Sequence, residues 1–186
     1  MRNPIPLWRT EHANFARLLE LLERTLVTPA KDVTTEYPLV LDVLHYLTNY
    51  PDRFHHPAED ELYALLRDRR PDLGPTVDRL RYMHRRIATD GRELLDLVQG
   101  VSCGMIVPRR LLARRAWTYV TRYRRHMRLE EEALLPIAAQ EIPATARQCL
   151  REHRPDDPLF GRAIADEYRQ LHAAIASGVG CGCATA

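Results

Sequence analysis

His55-His56-Pro57-Ala58-Glu59-Asp60-Glu61 returns 71 residues later as His126-Met127-Arg128-Leu129-Glu130-Glu131-Glu132. Both segments read H-x-x-x-E followed by two further acidic residues. On an α-helix, residues four apart differ by about 40° in azimuth and about 6 Å along the axis, so each segment sets an imidazole and a carboxylate on one face. Charged helical faces produce a lone H-x-x-x-E by chance, and the weight here comes from the repeat. His12 precedes His55 by 43 residues and His84 precedes His126 by 42, so one unit occurs twice. The unit is a helix bearing a single histidine followed by a helix bearing H-x-x-x-E.

The surrounding chain supports that division. Apolar residues recur at helical spacing, and the alternation that strands require is nearly absent. A first helix is predicted from about Trp8 to Val27, with Thr10 as its cap and His12, Phe15, Leu19, Leu22 and Leu26 on one stripe. Thr28 to Thr35 reads as a connection. A second helix runs from about Tyr37 to Arg69, with a kink or break near Tyr50 because Pro51 and Pro57 lie within it. The third runs from Pro75 to about Gln99 with Gly100 as its stop. Pro108 opens the fourth, which reaches about Gln140 and bends at Pro136. A short helix after Pro143 and another from about Gly161 to Ser177 complete the pattern.

Four long helices with short links predict an all-α fold, an antiparallel up-down four-helix bundle with an extra C-terminal helical segment. The predicted division is a metal-binding bundle over residues 1–142, a helical extension packed on it over 143–178, and a flexible tail over 179–186.

Composition narrows the class. With 186 residues the chain is long enough for one well-filled core, and 45% hydrophobic residues exclude a disordered or fibrous protein. No apolar run approaches the roughly 18 residues of a membrane span, and the N-terminus lacks the apolar centre of a signal peptide, so a cytoplasmic location is expected. Net charge is +2, and Lys31 is the sole lysine. Arg67, Arg69 and Arg70, and Arg122, Arg124, Arg125 and Arg128, lie among acids on helices. They read as solvated faces, and no nucleic-acid or membrane partner is expected. Cys103, Cys149, Cys181 and Cys183 form no disulfide framework, which fits a reducing compartment. Cys181-Gly-Cys183 reads as incidental.

The duplicated hairpins would bring His12, His55, Glu59, His84, His126 and Glu130 to the bundle centre. Two carboxylates there would each cost several kcal/mol if unpaired, and bound cations offset that cost directly. Imidazole with carboxylate suits iron or manganese, and six donors exceed the four that a structural zinc takes. A dinuclear site bridged by Glu59 and Glu130 is the economical arrangement. Manganese, zinc or a mixed pair remain possible substitutes for two iron ions.

Glu11-His12, Phe54-His-His-Pro-Ala-Glu-Asp60, Met83-His84-Arg85 and His126-Met-Arg-Leu-Glu-Glu-Glu-Ala-Leu-Leu-Pro136 resemble the hemerythrin-like, or HHE cation-binding, family. The likeness covers roughly residues 5 to 140, and Asp156-Asp-Pro-Leu-Phe-Gly161 resembles bacterial members with an extra C-terminal helix. The resemblance implies a non-haem, carboxylate-bridged di-iron centre that binds, senses or reduces oxygen, peroxide or nitric oxide, in oxidative stress or iron homeostasis. Oxygen-carrying hemerythrins supply two ligating histidines, four residues apart, from their third helix. Here Leu80 and Ala88 flank His84 at that spacing. The departure implies fewer protein ligands on one iron and favours redox chemistry or sensing over reversible oxygen carriage. Whether the chain turns over a substrate or acts as an iron-dependent regulator stays open, as does monomer against dimer.

Several residues receive plainer readings. His56 and Asp60 form a second pair turned about 100° from the first, and the repeat alignment selects His55 and Glu59. That register leaves His56 beside the ligands or at the surface. His45, His153 and His172 read as unrelated to the metal. Tyr119 and Tyr123 read as core residues able to hydrogen-bond a ligand. Asp60, Glu61, Glu131 and Glu132 read as the polar flanks of their helices.

Overall fold

A computed structural model describes residues 4–28, 36–147 and 155–177. Its architecture is all-α: four long helical runs pack together, and a short C-terminal helix joins them. The first run is α1 (Pro4–Leu22) continued by a π-turn, Glu23–Val27. The second comprises α2 (Tyr37–Tyr50), a π-turn at Pro51–His55 and α3 (His56–Arg69). The third is α4 (Gly74–Ser102). The fourth comprises α5 (Arg109–Leu129), a π-turn at Glu130–Leu134 and α6 (Leu135–Glu141). A 3-10 turn, Asp166–Tyr168, leads into α7 (Arg169–Ala176). No helix among the described residues is long and apolar enough to cross a membrane.

Proline chemistry accounts for the interruptions of the second and fourth runs. Pro51 opens one π-turn and Pro57 lies just beyond it, and Pro136 follows another. Each lacks an N–H, and a π-turn absorbs the lost hydrogen bond while inserting one extra residue. The second run stays helical through residues 37–69, and its α-helix is interrupted directly after Tyr50, where a kink or break was expected.

Three boundaries differ from the sequence expectation. The first helix begins at Pro4, and Thr10 bonds back to the Pro6 carbonyl at 3.1 Å without capping an end. The third helix passes through Gly100, against which Met105 packs, and the positive φ of 88° falls at Gly104. The C-terminal helix is confined to Arg169–Ala176 because residues 155–165 turn around Asp157, whose Oδ1 accepts the Leu159 and Phe160 N–H groups. The 28–35 connection falls almost wholly outside the described residues, as do Cys149, His153 and the tail with Cys181 and Cys183.

Two apolar clusters fill the bundle. One holds Phe15, Leu18, Leu22, Leu44, Tyr46, Leu94, Tyr119 and Tyr123, and Leu159, Tyr168 and Leu171 of the C-terminal segment join it. The other holds Trp8, Leu62, Tyr63, Leu66, Val77, Leu80 and Leu134. Every run crosses from one cluster to the other at a histidine: Trp8 to Phe15 around His12, Tyr50 to Leu62 around His55, Leu80 to Ile87 around His84, and Tyr123 to Leu134 around His126. A polar layer therefore interrupts the core at mid-height.

Tight packing holds that layer in place. A Cβ added at Gly91 of α4 would lie 2.8 Å from a Thr48 methyl and 3.0 Å from the Tyr119 ring, so only glycine permits this approach. Four arginines of the expected solvated faces are ion-paired: Arg67 with Asp78 at 2.8 Å, Arg70 with Asp72 at 2.7 Å, Arg124 with Glu23 at 2.6 Å, and Arg122 with Asp90.

Candidate metal centre

The structure brings His12, His55, Glu59, His84, His126 and Glu130 together in the polar layer. None is more than 6% exposed, and His55, Glu59, His126 and Glu130 are fully buried. His12 comes from α1, His84 from α4 and His126 from the end of α5, while His55 and Glu130 belong to the two π-turns and Glu59 to the first turn of α3. These two π-turns, at Pro51–His55 and Glu130–Leu134, each contain a donor, so the widened backbone adjusts the aim of these side chains.

The donors form overlapping sets. His12, His55 and Glu59 offer atoms within 4.8 Å of one another, and so do Glu59, His84, His126 and Glu130. Glu59 is common to both. Its Oε1 lies 3.2 Å from His55 Nε2 and 3.4 Å from His12 Nε2, while its Oε2 lies 3.8 Å from His84 Nε2. Glu130 spans the same gap: its Oε2 is 3.0 Å from His126 Nε2 and 3.5 Å from His12 Nε2, and its Oε1 is 3.5 Å from His84 Nε2. Each carboxylate thus faces both histidine pairs.

Carboxylates behind the rings fix their orientation. Nδ1 of His12 lies 2.9 Å from Glu131, Nδ1 of His55 lies 2.7 Å from Glu11, and Nδ1 of His84 lies 3.0 Å from Asp60. An ionised carboxylate only accepts, so Nδ1 carries a proton and Nε2 is the ring nitrogen that faces inward, a ligand once its own proton has left. Tyr50 supports Glu11 by donating to it at 2.9 Å, and Tyr63 donates to Glu130 Oε1 at 3.1 Å.

These partners were missed in the sequence. Asp60 and Glu131, assigned above to polar flanks, turn back onto histidines, whereas Glu61 and Glu132 do face outward. His56 is not at the surface. It is 3% exposed, its Nδ1 lies 3.1 Å from Asp52, and its ring stacks on His84 with centroids 4.5 Å apart. The Asp52-x-x-x-His56 spacing was the available signal, since residues four apart on a helix face each other. Tyr119 and Tyr123 are fully buried, and the Tyr123 hydroxyl lies 3.4 Å from His56 Nε2. His45 and His172 are exposed and stand apart from the cluster.

Electrostatics follow from burial opposed by neighbouring charge. Burial pushes His12 and His84 down, but hydrogen bonds to Glu131 and Asp60 and the Glu59 and Glu130 carboxylates outweigh it, raising both to about 10. Burial likewise lowers His55, and Glu59 and Glu11 reverse the direction. Burial raises Glu59, yet His55 and His12 hold it well below the carboxylate range. Burial and the charge of Glu59 push Glu130 up, and His126 and His84 bring it down overall. Burial dominates at His126, which is lowered, and burial with the neighbouring histidines keeps His56 neutral.

Protons alone leave the layer unsatisfied. Both Glu59 oxygens, Glu130 Oε2, His84 Nε2 and His126 Nε2 are buried and carry no well-aligned hydrogen bond among the described residues. Those five atoms are among the inward-facing donors. His12 Nε2 and His55 Nε2 also stand 3.1 Å apart. Orphaned buried polar atoms cost about 1–3 kcal/mol each, and a cation between them removes that cost. The donor set therefore fits a metal site, and its two-lobed form with shared carboxylates fits a pair of ions.

Neither a curated protein nor a solved structure matches the chain. The profile of the Hemerythrin HHE cation binding domain matches residues 3–138, most of the chain and all of the donors just described. With four packed helical runs and a buried His/Glu layer between them, the chain belongs to that cation-binding family.

Proposed function

We propose that the chain is a non-haem di-iron protein that binds, senses or reduces a small oxidant: oxygen, peroxide or nitric oxide. His12 and His55 hold one ion, His84 and His126 hold the other, and Glu59 and Glu130 bridge them. The observation that carries this reading is Glu59, fully buried with one oxygen toward each histidine pair and no aligned hydrogen bond on either. Imidazole and carboxylate donors favour iron or manganese over softer metals. Bound iron would supply redox chemistry and Lewis acidity at the centre. The protein's own residues orient the imidazoles, exclude bulk water through the two apolar clusters, and place Tyr63 and Tyr123 hydroxyls beside the donors.

Anaerobic reconstitution with ferrous iron tests the reading. About two irons per chain, and an absorption change on adding oxygen, peroxide or nitric oxide, are expected. An iron-loaded chain inert to all three would remove the oxidant from the account while leaving the metal site standing.

A regulatory role without turnover draws on a different feature. Tyr50 donates to Glu11, which holds His55. Tyr50 also stacks on Tyr46, whose hydroxyl donates to Asp157 of the C-terminal segment at 2.8 Å. A change at His55 therefore has a packed route to residues 155–177. Hydrogen exchange in that segment differing between metal-free and loaded protein supports this role, and identical exchange opposes it.

A further inference from the structure

We infer that the outer face of α5 is a docking surface for single-stranded nucleic acid, whose phosphates meet a row of arginines and whose bases stack on Trp117. The surface is separate from the metal centre and does not depend on the two-ion reading.

α5 (Arg109–Leu129) carries eight arginines and no acid, although the whole chain has a net charge of only +2. Its core face is taken by Leu112, Ala116, Tyr119, Val120, Tyr123, His126 and Met127, all buried. Outward stand Arg110, Arg114, Trp117, Thr121, Arg125 and Arg128, all exposed. Spacings of three and four residues keep them within about 80° of azimuth along about 27 Å of helix.

In the sequence these arginines read as a solvated face because acids stand nearby. In the fold, the acids of adjoining runs take the arginines at the edges of the row. Glu93 pairs with Arg115 at 3.0 Å, Asp90 with Arg122, and Glu23 with Arg124 at 2.6 Å. Arg110, Arg114 and Arg125 have no ion-pair partner among the described residues, and Arg128 shares a groove with Glu131 and Glu132. The row therefore presents a positive field that a polyanion neutralises.

Trp117 selects among polyanions. It is 54% exposed at the middle of the row, while Trp8, the other tryptophan, is fully buried. An acidic protein segment offers charge but no flat ring, and a duplex keeps its base faces within its own stack. A single strand offers both, a phosphate for each planar guanidinium and an unstacked base for the indole. The row holds no carboxylate or amide to accept from a ribose 2′-hydroxyl, so ribose and deoxyribose strands are bound alike.

Titrating the full chain with an oligothymidylate of about 12 nucleotides tests this, because Trp117 is the accessible fluorophore. Its emission should be quenched. With about four phosphates contacted, affinity should fall with a log–log salt slope of about −3, or about 50-fold between about 50 and about 200 mM salt. Trp117→Leu should weaken binding of a labelled strand at least about fivefold, and Trp117→Phe should keep most of it. Arg110→Gln, Arg114→Gln and Arg125→Gln together should flatten the slope to about −0.7. Circular dichroism checks that the variants fold, and metal uptake is read separately, so face and centre can fail independently. No quenching at about 50 mM salt, or binding that Trp117→Leu leaves unchanged, would overturn the inference. Polyglutamate, anionic vesicles or duplex DNA bound as tightly as the single strand would overturn it too.

Discussion

Glu11→Gln isolates the support of one histidine. Glu11 is 3% exposed; its Oε2 lies 2.7 Å from His55 Nδ1 and its Oε1 accepts from Tyr50 at 2.9 Å. Glutamine has the same shape. Turning its carbonyl toward His55 Nδ1 keeps that hydrogen bond, and its amide can donate to the Tyr50 oxygen. Charge is what disappears. A charge-assisted hydrogen bond is roughly twice as strong as a neutral one, so the loss is about 1–1.5 kcal/mol, or about tenfold in affinity for the ion that His55 holds. Glu11→Ala goes further and leaves a buried N–H without its acceptor, which raises the cost to about 2–3 kcal/mol, or about 30- to 100-fold. Chelator competition with zinc or ferrous iron measures both variants against wild type. The ion served by His84 should be nearly unaffected, because the ligand that Glu11 holds is His55. Equal weakening of both ions, or unchanged affinity accompanied by lost metal-free stability, would refute the assignment of Glu11 as a ligand-orienting group.

Other consequences are open to measurement. His12 and His84, raised to about 10, are protonated at neutral pH without metal and must lose those protons to ligate. Metal uptake at pH 7 should therefore release at least about two protons per chain and tighten as pH rises toward 10, which calorimetry in buffers of different ionisation enthalpy detects. The metal-free fold shows the complementary trend: stability from the same two groups is fully present below about 6.5 and is lost as pH climbs through about 10, visible as a falling melting temperature. Loading should raise the melting temperature, by an amount that grows with the logarithm of free metal concentration, and a chelator should reverse it. Gly91→Ala should destabilise by about 1–3 kcal/mol through overpacking against Thr48 and Tyr119, despite the better helix propensity of alanine, and a denaturant midpoint at or above wild type would contradict that.

Helical periodicity and the doubled histidine spacing made the bundle and its six central donors readable, because both are properties of single helices repeated along the chain. Asp60 and Glu131 behaved otherwise. Each sits one residue after a donor glutamate, where a lone helix places it about 100° off the donor face. Only the neighbouring helix, bringing His84 to Asp60 and His12 to Glu131, turns these flank positions into supports. Glu11 likewise acts across helices, on a histidine 44 residues away. His56 was hidden by helical regularity itself. An ideal helix forces a choice between it and His55, and the π-turn admits both. The prolines marked that irregularity, but their sequence positions do not say whether the chain breaks, kinks or widens.

Anomalous diffraction from crystals of the iron-loaded protein tests the central claim most directly. Two peaks about 3.5–4 Å apart are predicted inside the bundle, one beside His12 and His55 and one beside His84 and His126, with Glu59 between them. A map with no peak in that layer, at full iron loading, would contradict the account.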